Sequence, residues 1–339
     1  MMPQSSLTCC PFIMFIVFVL VLISTTGFPV SDEAYPSSAF EHWIYGKSNL
    51  KGTSWNKWYA NSGSWANLTG SSCGGKQQSP ININPRSSVR KTFPKFRFHN
   101  YGNIDRMILM NNGHTAMYSL QRKFPKGRIP YITGGGLNGT YEFAQFHLHW
   151  GNDSTKGSEH IISSKSYPGE LHLVHFNTKY GTFADATAHS DGLAVLGIFL
   201  KIGPGENPFF RPVVDQLGDV LRNHDETVLT NLVSFKELLP KQTTSFYRYS
   251  GSLTTPFCQQ IVIWTVFDTP VEVSEKQMNK FRKLENLEGE HLVNNFRPSQ
   301  KMHDRTVFYR APGGCEIPHS LPITSFSFAV QLLALFGCF

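Results

Sequence analysis

The sequence predicts an α+β, β-dominated single domain, and three observations carry that expectation. Short runs of β type, bounded by Gly, Pro and Asn turns, outnumber the segments with helical spacing. They do not alternate with helices, which argues against a doubly wound arrangement. No internal repeat or long linker divides the chain between its ends, so the 339 residues read as one large body. Charged residues are only 16% and aromatics 13%, a composition that fills a large core and excludes a disordered chain. The formal net charge of +7 is scattered, with no basic block or nucleic-acid motif. It is read as a solubility feature, without a nucleic-acid partner.

Both ends carry processing signals. Residues 11–23 form an apolar run after Pro11, followed by Ser24, Thr25, Thr26 and Gly27. That is the hydrophobic region and cleavage zone of a secretory signal peptide, assigned to residues 1–27, although Lys and Arg are missing before it. Residues 28–40 are a polar leader. At the other end the apolar stretch 326–339 is short against the roughly 20 residues that span a bilayer. Small residues Gly313, Gly314 and Cys315, a spacer and then this tail match a GPI-attachment signal over 311–339, with a tail anchor as the alternative. The expected location is therefore the secretory pathway and the outer face of the cell membrane, with a lipid anchor.

Cysteines and sequons fit that compartment. Cys9 and Cys10 fall in the signal, and Cys315 and Cys338 at or beyond the attachment zone, which leaves Cys73 and Cys258 as one disulfide of the body. Asn67, Asn138 and Asn152 each open an N-x-Ser/Thr glycosylation sequon.

In chain order, residues 41–66 carry His42, Trp43, Tyr45, Trp55, Trp58, Tyr59 and Trp65 among Gly and Ser, the pattern of an irregular arm packed on a body. From Gln77 onward the β-type runs begin, with examples at 107–110, 141–150, 171–176, 193–202 and 261–267. Helices are fewer. Asn207-Pro208 can start one, with Phe210, Val213, Val214, Leu217, Val220 and Leu221 at helical spacing. Ser274 and Gln277 form a capping box for another, with Val273 and Met278 as staple and Met278, Phe281 and Leu284 as the apolar face.

The run Phe146-His147-Leu148-His149-Trp150-Gly151 supplies the first chemistry. A strand has a side-chain period of two, so His147 and His149 project from one face as half of a tetrahedral metal site. In the alternating run 170–176, Glu170, His172 and Val174 share a face, so His172 completes a three-histidine site if the strands are neighbours. Three imidazoles and an open position describe catalytic zinc, since structural zinc sites are closed by four ligands. An iron site using Glu170 as a ligand ranks second, and copper would bring a thiolate. Gln145 and Glu170 are placed instead to hold the ring tautomers of the ligands.

With those residues in hand the chain resembles an α-class carbonic anhydrase of the extracellular, membrane-bound type. The resemblance runs in order through Gln78-Ser79-Pro80-Ile81, Asn111-Asn112-Gly113-His114, Gln145 to Gly151, Gly157-Ser158-Glu159-His160, Glu170 to His175, Asp191 to Lys201, Ser250 to Pro256 and Asn295-Phe296-Arg297-Pro298. It covers residues 41–310. It implies a twisted, mainly antiparallel sheet of about ten strands with short peripheral helices, a size that open sheets reach.

The same resemblance implies zinc on His147, His149 and His172, and reversible hydration of carbon dioxide to bicarbonate and a proton. Thr254 and Glu159 would orient a zinc hydroxide nucleophile, and His114 would shuttle the proton. Val174, Val195, Leu253, Val262 and Trp264 would line the wall that holds carbon dioxide, beside Thr254. Thr255 and Tyr45 would order the water chain. Sulfonamides and anions are the expected inhibitors, and esterase-like activity a side reaction. The Cys73–Cys258 pair resembles the disulfide of extracellular members. The chemistry suits these types, because carbon dioxide is nonpolar and its hydration needs hydroxide and a proton carrier that titrates near neutrality.

Other residues read as structural. His160 and His175 are expected to be hydrogen-bonded core residues, and His42, His99, His189, His224, His291, His303 and His319 ordinary surface or structural ones. Met117 stands where fast relatives carry a polar residue on the water path, and Phe176 and Phe296 where tryptophan is common. A binding protein on the same fold is the alternative from another class, disfavoured because all three ligand histidines are present.

Overall fold

The computed structural model describes residues 43–45 and 60–313. The expected signal and leader and most of the expected attachment signal therefore lie outside the described residues, as do Cys9, Cys10, Cys315, Cys338, His42, His319, Trp55, Trp58 and Tyr59. Among the described residues, no helix is long and apolar enough to cross a membrane.

One sheet organises the body. A continuous path of ten strands runs Glu226–Val228, Met107–Asn111, Ala116–Leu120, Tyr141–Trp150, Gly169–Asn177, Leu193–Ile202, Val262–Phe267, Phe246–Gly251, Phe308–Arg310 and Val89–Arg90. Val271–Val273, Tyr131–Gly134 and Phe96–His99 join it off that path, giving thirteen strands. The path carries the expected ten strands, and most neighbours on it pair antiparallel, as expected. The sheet as a whole is larger and mixed, because Leu193–Ile202 runs parallel to both Val262–Phe267 and Val271–Val273, and Phe308–Arg310 runs parallel to Val89–Arg90. Such pairs require crossovers, and the 203–261 segment between Leu193–Ile202 and Val262–Phe267 supplies one. Composition cannot reveal that choice.

The helices are short. Glu275–Phe281 starts at the Ser274–Gln277 capping box and buries Met278 and Phe281. The helix expected from Asn207 breaks into a 3-10 turn at Pro208–Phe210, four α residues at Arg211–Val214 and another 3-10 turn at Leu217–Asp219. Pro212 has no N–H to donate, and Gly218 weakens the following turn, so the apolar spacing is kept without a continuous helix. Phe210, Val213, Val214, Leu217 and Val220 are still buried, while Leu221 is exposed.

The central strands separate two apolar clusters. Phe146, Leu148, Leu171, Leu173, Leu196 and Ile198 belong to the larger core. Val174, Val195, Phe199, Tyr249, Val262 and Trp264 belong to a second cluster on the opposite face. A break in register between Phe143 and Gln145 fixes the allocation. Phe143 pairs with His175 on the core side, whereas Gln145 pairs with Val174 on the other, so the bulge turns the strand over. Every second residue after it, Gln145, His147 and His149, then points away from the main core.

Candidate metal centre

Register brings the three histidines together. His147 is the cross-strand partner of His172, and His149 the partner of Glu170, so all four share one face. The candidate ligand nitrogens of His147, His149 and His172 lie within 4.8 Å of one another.

Each ring is held by its other nitrogen. His147 Nδ1 lies 2.8 Å from Gln145 Oε1. His149 Nδ1 donates to the Asn295 carbonyl at 2.6 Å, and His172 Nε2 donates to Glu170 Oε1 at 2.8 Å. A carbonyl or carboxylate can only accept, so neutral His149 keeps its lone pair on Nε2 and neutral His172 on Nδ1. These atoms face each other at 3.2 Å. Tetrahedral zinc with bonds of 2.0–2.1 Å would separate its ligand nitrogens by about 3.3 Å. The donor set thus fits zinc. Burial, followed by repulsion from the neighbouring rings, holds His147 well below the ordinary histidine range. Burial also lowers His149, and both are neutral at pH 7, as metal ligation requires.

Glu170 is committed elsewhere. Its Oε1 accepts from His160 Nδ1 as well as His172, and its Oε2 accepts the His160 backbone N–H at 2.7 Å. Burial alone would raise this carboxyl, yet the imidazoles of His160 and His172 hold it well below the usual range. His160 Nε2 lies 2.7 Å from the Tyr249 hydroxyl. His160, Glu170 and His172 therefore form a hydrogen-bond network in which both Glu170 oxygens are engaged, which disfavours the iron arrangement. Gly197, the partner of His172 on the next strand, makes the space, since a Cβ there would come 2.9 Å from Glu170 Oε1.

Glu159 is buried beside the ligands, with Oε1 accepting the Arg297 backbone N–H at 2.8 Å. Its Oε2 stands 3.5 Å from His149 Nε2 and is buried without a hydrogen-bond partner among the described residues. Thr254 is buried, but its hydroxyl makes no hydrogen bond to Glu159 in this structure. An orphaned carboxylate oxygen aimed at the imidazoles is a second sign that the centre is built around a positive group.

An apolar wall adjoins the imidazoles. Val174, Val195 and Trp264 are successive cross-strand partners in one row, and the Trp264 ring lies 4.8 Å from that of His172. Val262 is buried two residues before Trp264, and half-buried Leu253 packs on the same cluster. The Trp264 indole donates to the Ser252 carbonyl at 3.0 Å, which ties the wall to the loop bearing Leu253, Thr254 and Thr255. That loop ends at Cys258, which is bonded to Cys73 as expected.

On another side, His114 follows a turn in which Asn112 Oδ1 accepts the His114 and Thr115 N–H groups. Its ring stacks on Trp43 at 3.6 Å and 7°. Loss of hydration, with His224 as a lesser cause, pushes its pKa down to about 3. Tyr45 meets the His149 ring edge-on at 6.3 Å and packs with Trp43 and Trp65. Met117 is half-buried and is the cross-strand partner of His147. Phe176 is buried in the wall cluster, and Phe296 is half-buried. The Asn67, Asn138 and Asn152 sequons are all exposed.

Sequence reasoning gave Asn295 no role of its own. It is fully buried, accepts from His149 through its carbonyl and from the Trp150 N–H through Oδ1, and donates to the His114 carbonyl. It lies 146 residues from His149, so no local spacing could have found it. Arg297 is similar, since its guanidinium donates to Gln78, Ser79 and Cys73 while its backbone holds Glu159.

Residues 60–311 match the family described as eukaryotic-type carbonic anhydrase. The chain is similar to putative carbonic anhydrase 5 of Caenorhabditis elegans, 39% identical over 235 residues, covering 69% of this chain and 75% of that protein. Human carbonic anhydrase 7 is 39% identical over 238 residues, covering 69% of this chain and 88% of that protein. Putative carbonic anhydrase 3 of Caenorhabditis elegans is 35% identical over 254 residues, covering 73% and 98%. A three-imidazole centre, an apolar wall and matches of this extent together mean that the chain belongs to the eukaryotic-type carbonic anhydrase family, whose members are zinc-dependent enzymes.

Proposed function

We propose that this chain catalyses the reversible hydration of carbon dioxide to bicarbonate and a proton at the outer face of the cell membrane, to which a GPI anchor attaches it. The observation that carries the chemistry is the pair of imidazole lone pairs facing each other at 3.2 Å beside the Val174–Val195–Trp264 row. His147, His149 and His172 would hold zinc, which supplies hydroxide at neutral pH by acidifying a bound water, an effect for which carbonic anhydrases are the standard example.

The other residues act around that centre. In the working site Thr254 turns its hydroxyl to the unpartnered Glu159 Oε2, which leaves the Thr254 oxygen as an acceptor that orients the attacking oxygen. Arg297 keeps Glu159 in place through the other carboxylate oxygen. Val174, Val195, Leu253, Val262 and Trp264 hold a nonpolar substrate by excluding water and give charged bicarbonate nothing to bind, which favours its release. Thr255 and Tyr45 order the water between the centre and His114, which carries the proton outward. Stacked on Trp43 the His114 ring is too acidic to take up a proton at pH 7, so transfer requires it to leave the stack and regain hydration.

The exposed sequons and the Cys73–Cys258 bond support an oxidising, secretory route. Residues 1–27 as a signal, 28–40 as a leader, 41–310 as the catalytic domain and 311–339 as the attachment signal complete the reading. Stopped-flow hydration with a sulfonamide control tests the activity. Turnover retained by His147→Ala after verified zinc loss would sink the mechanism. Release from intact cells by a phosphatidylinositol-specific phospholipase tests the anchor, and protein that stays on the membrane speaks against it.

A further inference from the structure

The turn at residues 222–225 packs against the turn that carries His114. The His224 N–H donates to the Asn111 carbonyl at 2.7 Å, and the Asn111 N–H donates to the Asp225 carbonyl at 3.0 Å. Gly113 sits at φ +76, where a Cβ would come 2.8 Å from Asn223 Oδ1 and 2.5 Å from Leu287. Only glycine admits this approach, and it brings residues 223 and 224 beside 113 and 114. His224 itself has φ +69, a left-handed conformation that carries a cost for a residue with a side chain. His224 is exposed, and the backbone pairing of the two turns places it beside the turn of His114.

A cavity of about 50 Å³ lies beside His114, lined also by Tyr45, Gly113, Asn286, Leu287 and Glu288. That is room for a water molecule, whose share of liquid volume is about 30 Å³. Asn223 Oδ1 and Glu288 Oε1 are both buried without a hydrogen-bond partner among the described residues, so the turn and the facing loop each present an acceptor. The charged groups on the His224 turn are Arg222 and Asp225, where Asp225 Oδ2 accepts the Arg222 N–H, and Glu288 lines the cavity beside His114.

We infer that His224 is a second station in proton release, receiving through solvent the proton that His114 carries out and passing it to buffer. The proposal rests on the carbonic anhydrase reading and on His114 as shuttle. The step moves one proton and no electrons. His114 imidazolium gives its proton to neutral His224, and the His224 imidazolium then gives it to a buffer base. His224 acts through His114 and touches neither substrate nor the metal ligands, so it is a positioning and relay residue.

The test is stopped-flow hydration by the full zinc-loaded enzyme in dilute and in concentrated buffer. His224→Asn suits it, because Asn tolerates the left-handed backbone and does not titrate. In dilute buffer kcat is expected to fall about threefold or more while kcat/KM stays unchanged, since only proton release is affected. Imidazole should restore kcat, and His114→Asn combined with His224→Asn should be no slower than His114→Asn alone. His224→Gln serves as a second variant. Unchanged kcat in both His224 variants, when His114→Asn is slow, would overturn the relay alone. A loss that imidazole does not restore, or one shared by kcat/KM, would also overturn it. If His114→Asn is as fast as the parent, the shuttle reading fails and the relay fails with it.

Discussion

His149 Nε2 and His172 Nδ1 face each other across 3.2 Å, each on a ring whose other nitrogen already donates to an oxygen. Two ring nitrogens aimed at one buried point suit a shared cation, so zinc binding there is coupled to folding. Zinc removal by a chelator should lower the unfolding temperature, and adding zinc back should restore it. At free zinc 100-fold above Kd the linkage is about 2.7 kcal/mol. His172→Ala removes one of the opposed lone pairs and one ligand. Its unfolding temperature should respond little to zinc, and its turnover should be lost. A zinc-dependent shift as large as the parent's in that variant would contradict the assignment.

Gly197→Ala tests whether Glu170 tunes the centre. The new Cβ would come 2.9 Å from Glu170 Oε1, inside van der Waals contact, and the carboxylate is pinned by three hydrogen bonds. Moving it would release His172 Nε2 and loosen the ring. Loss of such a partner typically weakens metal affinity by about 10–100-fold. Chelator competition should show that loss while the far-ultraviolet circular dichroism spectrum stays that of the parent. Unchanged zinc affinity would mean that Glu170 adapts without disturbing His172.

The site was legible where its geometry is local and hidden where it depends on topology. A period of two places His147 and His149 on one face, and the same rule places Glu170 with His172. Placing His147 opposite His172 needs the register of two strands, and taking Phe143 off their face needs the bulge between Phe143 and Gln145. Alternation alone would have put Phe143 on that face too, yet it pairs with His175 in the main core. The parallel crossover that puts Trp264 beside Val195 leaves no trace in the pattern of either strand. Asn295, Arg297 and Gly197 act through a carbonyl, an N–H and an absent side chain, features that side-chain chemistry does not advertise. The Trp43 stack on His114 comes from a distant arm, and its burial moves a residue expected to titrate near neutrality.

The Cys73–Cys258 bond closes a separation of 185 residues and fixes the end of the loop that carries Thr254. Constraining a loop of that length in the unfolded chain contributes about 5 kcal/mol in the entropy model, an upper figure. Cys73→Ser with Cys258→Ser should therefore unfold at markedly lower denaturant, with the parent matching it only after reduction. The Cys258 N–H donates to the Thr255 carbonyl, and Gln78 donates to the Cys258 carbonyl, so part of the loop stays held without the bond. Activity should accordingly survive at low temperature and fail earlier on heating. Denaturant titration with and without reductant, alongside hydration rates, checks both.

Acid stability should depend on His175, which is fully buried against the main core. Its Nδ1 donates weakly to the Ala194 carbonyl at 3.3 Å, and the Tyr101 hydroxyl donates to Nε2 at 2.5 Å. Burial lowers its pKa from 6.5 to about 4, so the native ring stays neutral where the unfolded one is charged. Between those values the unfolded chain binds more protons, and stability must fall as pH drops from about 6.5 to about 4. The full effect is about 3 kcal/mol at 1.36 kcal/mol per pKa unit, present above pH 6.5 and gone below pH 4. His175→Phe removes the titration but leaves the Tyr101 hydroxyl without its acceptor, at a cost of about 1–3 kcal/mol. That variant should be weaker than the parent at pH 7 and should lose less stability on acidification, so the two denaturant curves converge near pH 4. Parallel curves across that window would place the acid-sensitive group elsewhere.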